Sequence, residues 1–166
     1  MRYSKSLAFA LTVVVLLVVS CRAKTASSQK ITVADLEKVK WIEGTWRGSG
    51  DAEKPFFERY RFENGSTLAV DNFTDETLKT VDDTTRFELK DGRFASTGEK
   101  SRWALSQITV DAATFVPIVG AKNTFVWQNN KDGSWKAVMD WPANEAKPAK
   151  HVEYTMRKMT KGADGQ

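Results

Sequence analysis

Three Asx-Gly dipeptides, Asn64-Gly65, Asp91-Gly92 and Asp132-Gly133, each stand between stretches in which apolar and polar residues alternate. A glycine beside Asn or Asp accepts the left-handed backbone that a tight antiparallel hairpin needs, so each dipeptide predicts two paired strands. Ahead of Asn64, Phe56, Glu58, Tyr60 and Phe62 share one face of a strand while Phe57, Arg59, Arg61 and Glu63 share the other. Leu68, Val70 and Asn72 lie on one face of the return strand. The second dipeptide joins residues 85–89 to 93–97, and the third joins 124–128 to 134–141. Residues 102–110 and 113–118 read as two further strands, with Pro117 confined to an edge or bulge because it cannot donate to a ladder. After a polar loop, Val152, Tyr154 and Met156 alternate with Glu153, Thr155 and Arg157 in a closing strand. About ten short strands at this spacing, with no βα alternation, make a single all-β domain of the barrel or sandwich type.

The ends of the chain have other roles. Leu7 to Val19 is an apolar stretch interrupted only by Thr12, too short to span a bilayer but suited to the core of a signal peptide, with Arg2 and Lys5 ahead of it. It runs into Val18-Val19-Ser20-Cys21, which resembles the lipobox of bacterial lipoproteins, in which the cysteine is acylated and becomes the new N-terminus. Cys21 is the sole cysteine, so no internal disulfide and no Cys-x-x-Cys site can form. The expected organisation is a signal peptide over 1–20, a lipidated cysteine and flexible tether over 21–31, the folded domain over 32–160, and a disordered tail over 161–166. Arg22 after the cysteine, rather than Asp, resembles an outer-membrane address, so the expected location is the cell envelope, lipid-anchored, facing the periplasm or the cell surface. Removing residues 1–20 takes Arg2 and Lys5 away and lowers the net charge from +4 to +2, too little to mark a nucleic-acid binder.

Between tether and strands, Thr32 can cap a helix, with Asp35 three residues on and Leu36, Val39 and Ile42 at helical spacing. This predicts a two-turn helix over about 33–41, leading into Trp41-Ile42-Glu43-Gly44-Thr45-Trp46-Arg47-Gly48-Ser49-Gly50. Here the chain resembles the calycin superfamily of lipocalins, fatty-acid-binding proteins and nitrobindins, and Gly44-Thr45-Trp46-Arg47-Gly48-Ser49-Gly50 is similar to a nitrobindin-type opening. The resemblance implies an up-and-down antiparallel barrel of about eight to ten strands, a short helix plugging one end, and a small apolar ligand. It also implies that Trp46, entered through Gly44, packs under the barrel floor against a basic residue of the last strand. By order and spacing that residue is Arg157.

Residues that carry catalysis are sparse. One histidine, His151, serves the whole chain, and there is no Gly-x-Ser-x-Gly elbow, Walker loop or dinucleotide loop. A catalytic zinc would call for more histidines. The expectation is a binding protein and not an enzyme, with no cofactor. Haem is the one exception to weigh, because nitrobindin-like barrels hold it through a histidine near the position of His151; alternation, however, sets His151 on the Glu153 and Arg157 face, away from Val152, Tyr154 and Met156. The strand ahead of Asn64 offers two facings: Glu58 inward among Phe56, Tyr60 and Phe62, or Arg59 and Arg61 inward beside Phe57. The Glu58 face is richer in aromatic area and is taken as the inner one. The candidate pocket is then Glu58, Tyr60, Val70, Asn72, Phe125, Trp127, Met139 and Tyr154, with Glu58 to receive the polar head of a small hydrophobic or amphiphilic ligand. Beside that carrier, scavenger or sensor stand two alternatives: a haem barrel acting on reactive nitrogen species, and an envelope assembly lipoprotein whose barrel is filled with side chains.

Overall fold

The computed structural model describes residues 30–50 and 54–160. The signal peptide, Cys21, nearly all of the tether and the tail lie outside the described residues. Among the described residues ten strands follow a short helical segment: β1 (Gly44–Ser49), β2 (Phe56–Asn64), β3 (Thr67–Phe73), β4 (Val81–Lys90), β5 (Arg93–Ser96), β6 (Arg102–Ile108), β7 (Ala112–Val119), β8 (Thr124–Asn129), β9 (Ser134–Trp141) and β10 (Lys150–Lys158). Each pairs antiparallel with its neighbours in sequence, and β1 pairs with β10, so the sheet closes into an up-and-down barrel without a free edge. That architecture is compatible with a lipocalin-like calycin fold.

The hairpins form where the Asx-Gly pairs stand, by differing means. Asp91 and Gly92 both adopt positive φ, 54° and 80°, the requirement of a type I′ turn. At the third dipeptide, Lys131 and Gly133 take φ of 64° and 84° while the Asp132 carboxylate accepts from the Ser134 amide at 2.8 Å. Asn64 closes its own turn by accepting from the Ser66 amide at 2.8 Å, next to an irregularity in the β2–β3 ladder. Pro117 pairs with Trp103 of β6 at a point where the register skips a residue, and β7 has already left β8 after Phe115. Its missing N–H therefore breaks no regular ladder.

Thr32 caps the helix as expected, its hydroxyl accepting from the Asp35 amide at 3.3 Å while the Asp35 carboxylate accepts from the Thr32 amide at 3.0 Å. The segment is a single α turn, α1 (Val33–Leu36), continuing as a 3₁₀ helix (Glu37–Ile42). It lays Leu36, Val39 and Ile42, all fully buried, across one end of the barrel. Each such side chain contributes ~1.5–3 kcal/mol when removed from water. Trp46 sits directly above, its indole N–H donating to the Ile42 carbonyl at 2.7 Å and its ring meeting Trp135 edge to face at 5.9 Å.

One boundary and one contact differ from the sequence reading. Ile31 belongs to the domain and not to the tether: it is buried in the core and its amide donates to the Gly92 carbonyl at 2.8 Å, tying the chain's approach to the β4–β5 turn. Arg157 does not stack on Trp46. It lies exposed on the outer face opposite Arg47, whereas Lys158 is the register partner of Trp46 and places its ammonium 5.5 Å from the indole centre. Period-two alternation carries the inner face from Met156 to Lys158 and leaves Arg157 outside.

Candidate functional site

The barrel is filled at the helix-covered end and hollow toward the other. Trp135, fully buried, is the hub of the filled half, with Trp41, Trp46 and Tyr60 around it at ring separations of 6.2, 5.9 and 5.3 Å. Phe115 stacks on Phe125 at 4.5 Å and meets Trp127 at 4.6 Å. Above these rings a cavity of about 360 Å³ opens toward the end where β8, β9 and β10 have Phe125, Trp141 and Lys150. It falls within the size range of small-molecule sites, roughly 300–1,000 Å³.

All eight side chains anticipated for the pocket, Glu58, Tyr60, Val70, Asn72, Phe125, Trp127, Met139 and Tyr154, line this cavity. Phe56 and Trp141 complete its upper wall. Gly48 on β1 is what allows Phe56 to lie there, since a Cβ at Gly48 would occupy the space of the Phe56 ring. Sequence reasoning missed Thr85, Phe87, Trp103, Asn123 and Ala137. Thr85 and Phe87 were within reach of alternation, being the cross-strand partners of Val70 and Leu68. Trp103 and Asn123 were not, because β6 is irregular on both sides of Ala104 and Leu105 and Asn123 precedes β8. The two are joined at the rim, where the Trp103 indole N–H donates to the Asn123 carbonyl at 2.9 Å.

Among the described residues, Glu58 is the one acid on this wall. It is half-buried and lines the cavity. Burial pushes its carboxyl above the ordinary value of 4.5, while the Tyr60 hydroxyl, donating to Oε2 at 2.7 Å, acts in the opposite sense. Tyr60 is held well above the usual phenol range by its own burial, then by the charge and hydrogen bond of Glu58. Asn72 stands opposite Glu58 in the β2–β3 ladder and lines the same cavity. Arg59 and Arg61 face outward: Arg59 covers the Phe73 ring at 4.8 Å, and Arg61 donates to Asp71 at 3.1 Å. The competition between the two facings of β2 thus ends with Glu58 inside.

His151 is on the outside. Its Nδ1 lies 2.6 Å from an Asp140 carboxylate oxygen, which raises its basicity, and Glu153 stands 3.5 Å from Nε2. The ring does not line the cavity, so a haem ligated through His151 within the barrel does not fit this geometry. Among the described residues, no group of three or more His, Cys, Asp or Glu gathers as a metal site.

Outside the cavity the mouth widens into a depression of about 1,140 Å³, bounded by Trp103, Trp141 and Asn123 and carrying Lys122, Lys147 and Lys150. Lys150 holds its ammonium 5.3 Å from the Trp141 ring centre. No family model matches the chain, and no curated protein matches it either.

Proposed function

We propose that this chain is an envelope lipoprotein whose barrel binds a small hydrophobic or amphiphilic molecule, as a carrier, scavenger or sensor. The observation that carries the reading is the cavity itself: about 360 Å³ of half-open space walled by aromatic and aliphatic side chains with a few polar groups among them. A barrel serving only as a scaffold gains by filling that space, since unfilled volume forfeits contacts between close-packed side chains. Acylation of Cys21 would hold the domain on a bilayer, each buried CH₂ adding ~0.8 kcal/mol of membrane affinity.

The test is whether apolar molecules enter. Trp103, Trp127 and Trp141 line the cavity, so an occupant should change tryptophan fluorescence and raise the melting temperature. A ligand at 100 times its dissociation constant stabilises by ~2.7 kcal/mol. Ala137 also lines the wall, and Ala137→Phe fills the space with a ring, so this variant should stay folded and lose the response. A panel of apolar probes that alters neither fluorescence nor melting temperature would overturn the proposal in favour of a scaffold acting through its outer face.

A further inference from the structure

Glu58 is not needed to complete the fold. Its inward neighbours on β2 are Phe56 and Tyr60, and the positions across from it are Trp46 and Asn72. A leucine would pack there without the cost of burying a carboxylate. Tyr60 satisfies Oε2 at 2.7 Å, and Oε1 has no protein donor among the described residues. An acid placed on an aromatic wall, half satisfied and open to the cavity, is arranged for a partner that the protein does not supply.

The charge inventory of the wall selects that partner. Among the described residues no Lys, Arg or His lines the cavity; besides Glu58, the ionisable side chains they place there are Tyr60 and Tyr154. A carboxylate ligand would face Glu58 with no countercharge, and the two acids would have to share a proton. A neutral hydroxyl could bond to Oε1 but would leave the ionised acid uncompensated. An ammonium supplies both the donor and the charge, in surroundings where the pair is weakly screened. It also suits the aromatic rings that line the cavity, since aromatic faces attract cations.

Resting on the binding reading above, we infer that the cavity takes a lipophilic amine, its ammonium against Oε1 of Glu58 and its apolar body against the aromatic wall. Lys122, Lys147 and Lys150 lie in the outer depression, beyond the cavity wall, and would draw an anionic head to the rim instead. A direct comparison decides between these polarities.

The experiment titrates the full-length protein with phenethylamine, phenethyl alcohol and hydrocinnamate, which share an apolar ring and differ in the charge of the head, and follows tryptophan fluorescence. The amine is expected to bind roughly tenfold more tightly than the alcohol, with hydrocinnamate weakest. Glu58→Gln should bring the amine down to the alcohol's affinity, and a cooperative thermal unfolding transition shows that the variant is folded. Lowering the pH until Glu58 is protonated should weaken the amine and not the alcohol. Binding of the alcohol with no advantage for the amine, an amine preference that survives Glu58→Gln, or tightest binding by hydrocinnamate would each overturn the inference and leave the binding cavity standing. Failure of all three probes would remove both.

Discussion

Glu58→Gln should make the empty protein more stable at neutral pH, and the gain should vanish in acid. Below the ordinary value of 4.5, Glu58 is protonated in both the folded and the unfolded chain, and its burial carries no charge penalty. As pH rises, the unfolded chain gives up this proton first, because burial holds the folded carboxyl higher. The unfolded state then binds fewer protons than the folded one, so wild-type stability falls, by at most about 1.4 kcal/mol per pH unit. The fall ends once the folded carboxyl also ionises. Glutamine has no proton to lose, keeps the side chain's shape and leaves an oxygen to accept from Tyr60. Carboxyls shifted the other way, such as Asp35, lowered to about 2 by Lys38 and Thr32, give stability that is lost in acid; they are common to both proteins and cancel in the difference. Urea unfolding of wild type and variant between roughly pH 4 and pH 8 measures that difference directly. A gap that does not change with pH, or a wild type more stable than the variant at the alkaline end, would refute the placement of a desolvated acid on the wall.

Cys21→Ser should abolish fatty-acid labelling and move the protein from the membrane to the soluble fraction; an exported wild type that takes up no label refutes the lipobox reading. Lys158→Leu should cost ~0.5–1 kcal/mol through the lost cation–π contact with Trp46, while Arg157→Leu stays within about 0.5 kcal/mol of wild type, both read from urea midpoints. Gly48→Ala should cost ~1–3 kcal/mol by driving Phe56 from its place and should be harmless in a Phe56→Ala background, which a double-mutant cycle in thermal unfolding will show.

The face of each regular strand was legible because burial on one side imposes a period of two. That rule places Glu58, Tyr60, Val70, Asn72, Phe125, Trp127, Met139 and Tyr154 on one surface, the one that lines the cavity. Continued from Val152, Tyr154 and Met156, the same alternation runs to Lys158, whereas the family resemblance pointed to Arg157, one residue out of phase. Where the ladder skips a residue, at Trp103 and again before Gln107, alternation loses its meaning, and the rim of the cavity was hidden for that reason. Ile31 was hidden because one apolar residue after a polar stretch has no period at all; its burial depends on the Gly92 turn, sixty-one positions away.

Hollowness is a different kind of property. Trp135 and Trp141 read alike in the sequence as inward rings of one strand, yet one is sealed among Trp41, Trp46 and Tyr60 and the other stands at the mouth. The difference arises from the helix: Leu36, Val39 and Ile42 close one end, and nothing equivalent among the described residues closes the other. Glu58 falls at the boundary between the two halves, one inward position above Tyr60, whose ring already packs against Trp135. An acid that breaks an otherwise apolar pattern where packed core gives way to open space is a local inconsistency that folding alone does not explain, and such inconsistencies are where function is expected to reside.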